Sequence, residues 1–146
     1  MACVAMNMPA LVAQLKKHEG VRLKPYTDTV GKLTIGIGRN LVDRGITLEE
    51  AEAMAVHDIT EAATALCAAL PWFTTLDEVR QRVLIDLAFN VGSRKALEFV
   101  RMLAAMQRKD WDTAAKELWA SRWANQVQTD RSHRLVMMLK TGQAQP

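Results

Sequence analysis

The chain has 146 residues, 49% of them apolar and 24% charged, and its 19 Lys plus Arg against 16 Asp plus Glu leave a net charge of +3 and a pI near 9.1. That apolar share excludes a disordered chain, and the length suits one domain, or two small lobes sharing a core that hides roughly two-thirds of the unfolded surface. A charge this small fits an anionic target such as a cell envelope but is weak for nucleic acid, and no recognition helix stands out.

The first thirteen residues are apolar but lack a basic start, and Asn7 and Pro9 interrupt them, so no signal peptide is expected. An apolar run of about 18 residues, enough to cross a membrane, is missing as well. Cys3 and Cys67 match no metal spacing. Cys3 is expected near a frayed terminus, while Cys67 sits in an Ala/Leu stretch and reads as a buried free thiol. With no disulfide framework the fold should not depend on an oxidising compartment.

In chain order, Leu11, Val12 and Leu15 mark one face of a helix that ends at Glu19, with Gly20 in the C-cap place. Glu19 then falls in the last turn, where the negative end of the helix dipole disfavours a charged carboxylate, as a general acid requires. Arg22 to Gly38 is the β region: Asp28 to Gly31 supply a turn, and Leu33, Ile35 and Ile37 alternate with Thr34 and Gly36 as in a half-buried strand. Gly36 and Gly38 read equally as a bulge or as a place of close approach by another backbone or a ligand.

Thr47-Leu-Glu-Glu50 is a capping box opening a helix that should run to about Leu70, where Pro71 forbids continuation. Such a helix is roughly 36 Å long, enough to link two lobes. Thr75-Leu-Asp-Glu78 is a second box, followed by the stripe Leu76, Val79, Val83, Leu84, Leu87, Ala88 and Val91 of a central helix closed by Gly92. Further helices are expected over Lys95 to Arg108, over Trp111 to Ala120 with Asp110 as cap, and over Asp130 to Leu139. The fold class is α+β, mostly α. A small N-terminal β-hairpin lobe (about 11–46) is joined by a long helix (47–70) to a C-terminal helical bundle (72–142), as one domain over 1–146.

Glu19 and Asp28, nine residues apart on separate elements, are the pair that acid-catalysed glycoside hydrolysis needs, although each alone also reads as an ordinary surface acid. His18, His57 and His133 share no metal-ligand spacing, so no metal is expected. There is no Gly-x-Ser-x-Gly elbow, and Gly36-Ile-Gly38 lacks the third glycine and following helix of a phosphate loop. Trp111 and Trp119 read as core at helical spacing, whereas Trp123, in the polar cluster Ser121 to Gln126, reads as core or cleft wall. Arg131-Ser-His-Arg134 with Lys140 reads as a solvated helix side rather than an anion site.

Taken together these residues resemble the phage-type lysozymes, the endolysin family of glycoside hydrolases (family 24). The matches are His18-Glu-Gly-Val-Arg-Leu-Lys24, Tyr26-Thr-Asp28, Thr34-Ile-Gly-Ile-Gly38, Ala88-Phe-Asn-Val-Gly92, Trp111-Asp112, Ser121-Arg-Trp-Ala-Asn-Gln126, Arg131 with Arg134, and Lys140-Thr-Gly142. They span roughly residues 11 to 142 in order.

The resemblance implies a lysozyme-like fold and a muramidase that cleaves the β-1,4 bond between N-acetylmuramic acid and N-acetylglucosamine in peptidoglycan. Glu19 takes the general-acid position, Asp28 the second carboxylate and Thr34 the third polar place, with inversion of configuration. Phe89, Asn90 and Trp123 match positions that line the cleft. Arg131 matches an arginine that pairs with the catalytic glutamate. Arg39 stands where the family's best-known member has a histidine, and its partner place is matched by Asp58. Two other departures are the short connection Asn40 to Gly45 and Asn90 itself, which replaces a glutamine.

By the same resemblance the protein is a monomeric endolysin that needs no cofactor. It would accumulate in the host bacterial cytoplasm and reach the wall from the periplasmic side once a holin permeabilises the membrane, without stable membrane insertion of its own. The rival readings are a lytic transglycosylase, which needs an acid but no water-activating carboxylate, and a peptidoglycan-binding module of the same fold without catalysis. A small basic nucleic-acid binder is the remaining alternative.

Overall fold

A computed structural model describes residues 6–127 and 129–146, so the expectation for Cys3 lies outside the described residues. Its elements, in order, are helix α1 (Met8–Glu19), strands β1 (Arg22–Thr27), β2 (Leu33–Gly36) and β3 (Arg39–Asn40), then helix α2 (Leu48–Ala69). Helices α3 (Glu78–Val91), α4 (Ser93–Ala96), α5 (Val100–Gln107), α6 (Trp111–Trp119), α7 (Arg122–Gln126) and α8 (Thr129–Thr141) follow. The α+β, mostly helical class is as read. The chain divides into two units, Met1–Glu52 and Ala53–Pro146, with the boundary inside α2. Among the described residues no helix is long and apolar enough to cross a membrane.

In the first unit, Asn7 caps α1 by accepting from the Ala10 N–H, and Gly20 ends the helix with φ +75°, its N–H donating to the Lys16 carbonyl. The chain turns at once into a three-stranded antiparallel sheet of order β1-β2-β3. The expected hairpin therefore carries a third, two-residue strand. Thr34 lies opposite Asn40 and Ile35 opposite Arg39, leaving Gly36-Ile37-Gly38 as the tip. Between Arg22 and Tyr26 the register of β1 against β2 slips, in the stretch that holds Pro25, which has no N–H for the ladder.

β2 is half-buried as read, but its burial does not simply follow the apolar residues. Leu33 is 44% exposed and Thr34 only 3%, so the hydroxyl faces inward and the leucine faces water. The alternation was visible, but its phase follows from pairing with β1, which a strand's own pattern does not contain.

The capping box at residue 47 forms: the Glu50 N–H donates to Thr47 Oγ1 and the Thr47 N–H to Glu50 Oε2. The second box does not. Asp77, not Thr75, caps α3 by accepting from the Arg80 N–H, while the Thr75 hydroxyl donates to the Trp72 carbonyl in a short 3₁₀ turn. Two acceptors compete for one helix start, and the residue adjacent to the first turn wins.

The second unit holds the hydrophobic core. Leu66 of α2, Val83, Leu84 and Leu87 of α3, Met102 and Met106 of α5, Leu118 of α6 and Leu139 of α8 are almost completely buried. Each such side chain contributes about 1.5–3 kcal/mol relative to exposure. The single helix expected over Lys95 to Arg108 is two, α4 and α5, broken at Leu97 to Phe99. Cys67 is exposed rather than buried, and Trp119, expected in the core, is 49% exposed with its ring edge-on to His133. Both sit on apolar-looking helices whose buried face is decided by which neighbours pack there.

Arg80 fastens the end of the chain to α3. Its guanidinium lies 3.9 Å from the centre of the Trp111 ring, donates to the Leu139 and Lys140 carbonyls and pairs with Asp77. Burial alone would push the Asp77 carboxyl up, but the hydrogen bonds and charge of Arg80 hold it below its ordinary value. Gly142 is confined to glycine on two counts, its φ of +68° and a Cβ that would stand 2.6 Å from Arg80 Nη1.

Candidate active site

Asp28 is built into the β1–β2 turn. Its own carbonyl accepts from the Gly31 N–H, its N–H donates to the Lys32 carbonyl, and its Oδ1 accepts from the N–H groups of Val30 (3.0 Å) and Lys32 (2.8 Å). One carboxylate oxygen is thus held by two backbone N–H groups, which fixes the orientation of the group. At 3.5 Å from the other oxygen, Oδ2, stands the hydroxyl of buried Thr34, also 3.1 Å from the Lys32 carbonyl. A threonine hydroxyl has one proton to give and two lone pairs to offer. That one proton has two acceptors within reach, the Lys32 carbonyl and Asp28 Oδ2.

Glu19 reaches the same sheet from α1. It is exposed at the helix C-terminus, and its side chain lies on the tip of the β2–β3 hairpin, where a Cβ built on Gly38 would stand 3.0 Å from Oε2. One short hairpin therefore touches both carboxyl groups, through Thr34 on Asp28 and through Gly38 on Glu19. Thr34 and the tip glycines are two strand residues apart in level, about 7 Å.

The two arginines are held by other partners than the resemblance implied. Arg39 donates twice to Glu50, from Nη1 at 2.8 Å to Oε2 and from Nη2 to Oε1, and once more to the Gly45 carbonyl. The short connection folds the capping-box glutamate back onto β3, so Glu50 fills the partner role expected of Asp58. Asp58 belongs to the second unit, where its carboxylate lies 3.5 Å from His57 Nδ1. Hydrogen bonding from the Thr47 N–H, together with the charge and hydrogen bonds of Arg39, holds the Glu50 carboxyl below its ordinary value against a smaller desolvation effect. Arg131 likewise pairs with Asp86 inside the second unit, at 2.6 Å and 3.0 Å from the same oxygen.

The three expected cleft residues divide between two cavities of the second unit. Asn90 and Trp123 line one of about 660 Å³, with Phe99, Lys95, Glu98 and Ser121. Phe89, 49% exposed, lines another of about 440 Å³ together with Asp86 and Arg131. Trp123 is both of the things its sequence left open: 6% exposed, yet part of a cavity wall. Sequence reasoning missed Glu50 and Asp86 as partners. The capping box already signalled Glu50, whereas Asp86 lies 45 positions from Arg131 and carried no local signal.

Two carboxyl groups and a hydroxyl around one hairpin, in a mainly helical protein, are the groups that acid-catalysed glycoside hydrolysis uses. A family model described as phage lysozyme matches residues 16–137. The probable T4-type lysozyme 1 of Dictyostelium discoideum is 30% identical over 158 residues, covering 88% of this chain and 92% of that protein. The endolysin of Salmonella phage P22 is 29% identical over 112 residues, covering 71% of this chain and 75% of that protein. The pre-baseplate central spike protein Gp5 of Enterobacteria phage T4 is 28% identical over 161 residues, covering 91% of this chain but 28% of that larger protein.

The chain belongs to the phage lysozyme family. It is a glycoside hydrolase of the lysozyme class, and peptidoglycan is its substrate.

Proposed function

We propose that the protein acts as an endolysin, a muramidase that opens the N-acetylmuramic acid β-1,4 linkage with Glu19 as general acid and Asp28 with Thr34 as the water-holding pair. The observation that carries this reading is the hairpin that touches both carboxyl groups. Glu19 protonates the leaving oxygen as the glycosidic bond breaks. The water seated between Asp28 Oδ2 and Thr34 Oγ1 attacks the anomeric carbon from the opposite face and gives its proton to Asp28. In inverting enzymes the two carboxyl groups stand roughly 6.5–9.5 Å apart, which leaves room for that water. Phe89, Asn90 and Trp123 are the substrate-binding residues of this reading.

The enzyme works as a monomer without cofactor, made in the host cytoplasm and admitted to the wall by a holin. Reducing-sugar release from purified peptidoglycan tests the chemistry. Wild type should cleave and Glu19→Gln, which keeps the size but has no proton to give, should lose at least about a hundredfold. NMR of the first-formed sugar should show the α anomer. Appearance of the β anomer would rule out inversion, and anhydro-muramic ends would place the enzyme among the transglycosylases. Equal cleavage by both proteins would remove Glu19 from the mechanism.

A further inference from the structure

We propose that Gly38 is a positioning residue for the general acid: the side chain it lacks is the space in which the Glu19 carboxyl group rests. The inference rests on the reading of Glu19 as the acid. A Cβ on Gly38 would stand 3.0 Å from Oε2, 3.1 Å from Cδ and 3.2 Å from Cγ of Glu19. Three consecutive atoms of one side chain thus lie along the bare Cα of one glycine.

Glu19 needs such a floor. It is exposed, at the end of α1, and an unsupported glutamate there would spread over several rotamers. A general acid is effective only when held close to the oxygen it protonates, and a displacement of about 1 Å costs on the order of a hundredfold. The hairpin tip is pinned by the pairs Thr34–Asn40 and Ile35–Arg39, so it offers a fixed surface at the place the side chain needs one.

The neighbouring glycine shows that backbone conformation alone does not account for this. Gly36 has φ +69° and Gly38 φ +70°, so both occupy the left-handed region that favours glycine. Around a Cβ at Gly36 there is nothing within 4 Å, whereas at Gly38 the nearest atoms all belong to Glu19. The turn explains both glycines, and the acid explains only the second.

The test is a matched pair of alanine variants, Gly38→Ala and Gly36→Ala, measured for kcat and KM on soluble glycan strands and for Tm, with Glu19→Gln alongside. The backbone penalty should lower Tm by a similar amount in both. Gly38→Ala should also lose kcat about ten- to a hundredfold with KM little changed, because only the acid has moved, while Gly36→Ala keeps its kcat. Equal kcat in the two alanine variants, with Glu19→Gln inactive, overturns the proposal and leaves the acid reading standing. An active Glu19→Gln overturns the acid reading itself, and the proposal with it. Should Gly38→Ala not fold, side-chain NMR of the wild type decides: one Glu19 rotamer with contacts to the Gly38 Hα protons supports the floor, and rotamer averaging without them refutes it.

Discussion

The indole N–H of Trp123 donates to Asn90 Oδ1 across 2.7 Å, tying the start of α7 to the end of α3. Asn90 also lines the cavity of about 660 Å³, and with its carbonyl oxygen so engaged its amide N–H groups are the donors it has left for a ligand. Trp123→Phe removes the donor and leaves a gap in a buried place, which should cost about 1–3 kcal/mol in urea unfolding. Asn90→Asp can accept the same indole bond but has no donor left. It should keep nearly the wild-type Tm while its KM on peptidoglycan rises, and an unchanged KM would take Asn90 out of the substrate contacts.

Thr34 combines burial with two acceptors for a single proton, the Lys32 carbonyl and Asp28 Oδ2. Thr34→Val keeps the shape and removes the hydroxyl, at an expected cost of about 1–2 kcal/mol in stability. On the proposed mechanism activity should fall much further than stability explains, because the attacking water would lose one of its two holders. Thr34→Ser restores the hydroxyl and should recover most of the rate. If the valine and serine variants are equally active, Thr34 serves the fold alone.

The Arg39–Glu50 pair gives a pH dependence whose sign is set by the carboxylate. Its folded value is depressed below the ordinary 4.5, so the unfolded chain takes up protons first as pH falls. The pair's contribution is therefore full above that ordinary value and fades as pH drops through the folded one. Melting curves of wild type and Glu50→Gln from pH 7 to pH 3 should converge in the acidic range, and a constant gap would mean the pair adds no pH-linked stability. Because arginine keeps its charge, the gap should be flat from pH 5 to 8, whereas Arg39→His should lose stability as pH rises through the histidine range. There a protonated histidine gains Glu50 as partner, its folded value is raised, and the benefit disappears once it deprotonates.

Local chemistry was what the sequence could express. The box at Thr47 and Glu50, the cap at Asp110, the stop at Gly20 and the turn at Asp28 depend on atoms a few residues apart, and each is where its residues put it. The central stripe of Val83, Leu84 and Leu87 was legible for the same reason, as period and burial agree along one helix. Glu19, Asp28 and Thr34 were readable as types in order, through the likeness to a family, and not from periodicity.

Tertiary structure decided the rest. Which face of β2 turns inward depends on a register that slips beside Pro25, and it put Thr34 inside and Leu33 in water. The partners of the arginines were chosen by chain reversals, a short loop for Glu50 and the packing of α8 near α3 for Asp86. Trp119 is only half-covered, with His133 against its ring, and Cys67 is exposed, because the packing of neighbouring elements decides which side of an apolar-looking helix is buried. Sequence by itself determined which residues carry acid, hydroxyl and cap. Only the fold could set Gly38 under Glu19 and Thr34 beside Asp28, because contacts between elements are fixed by pairing and packing that no single segment encodes.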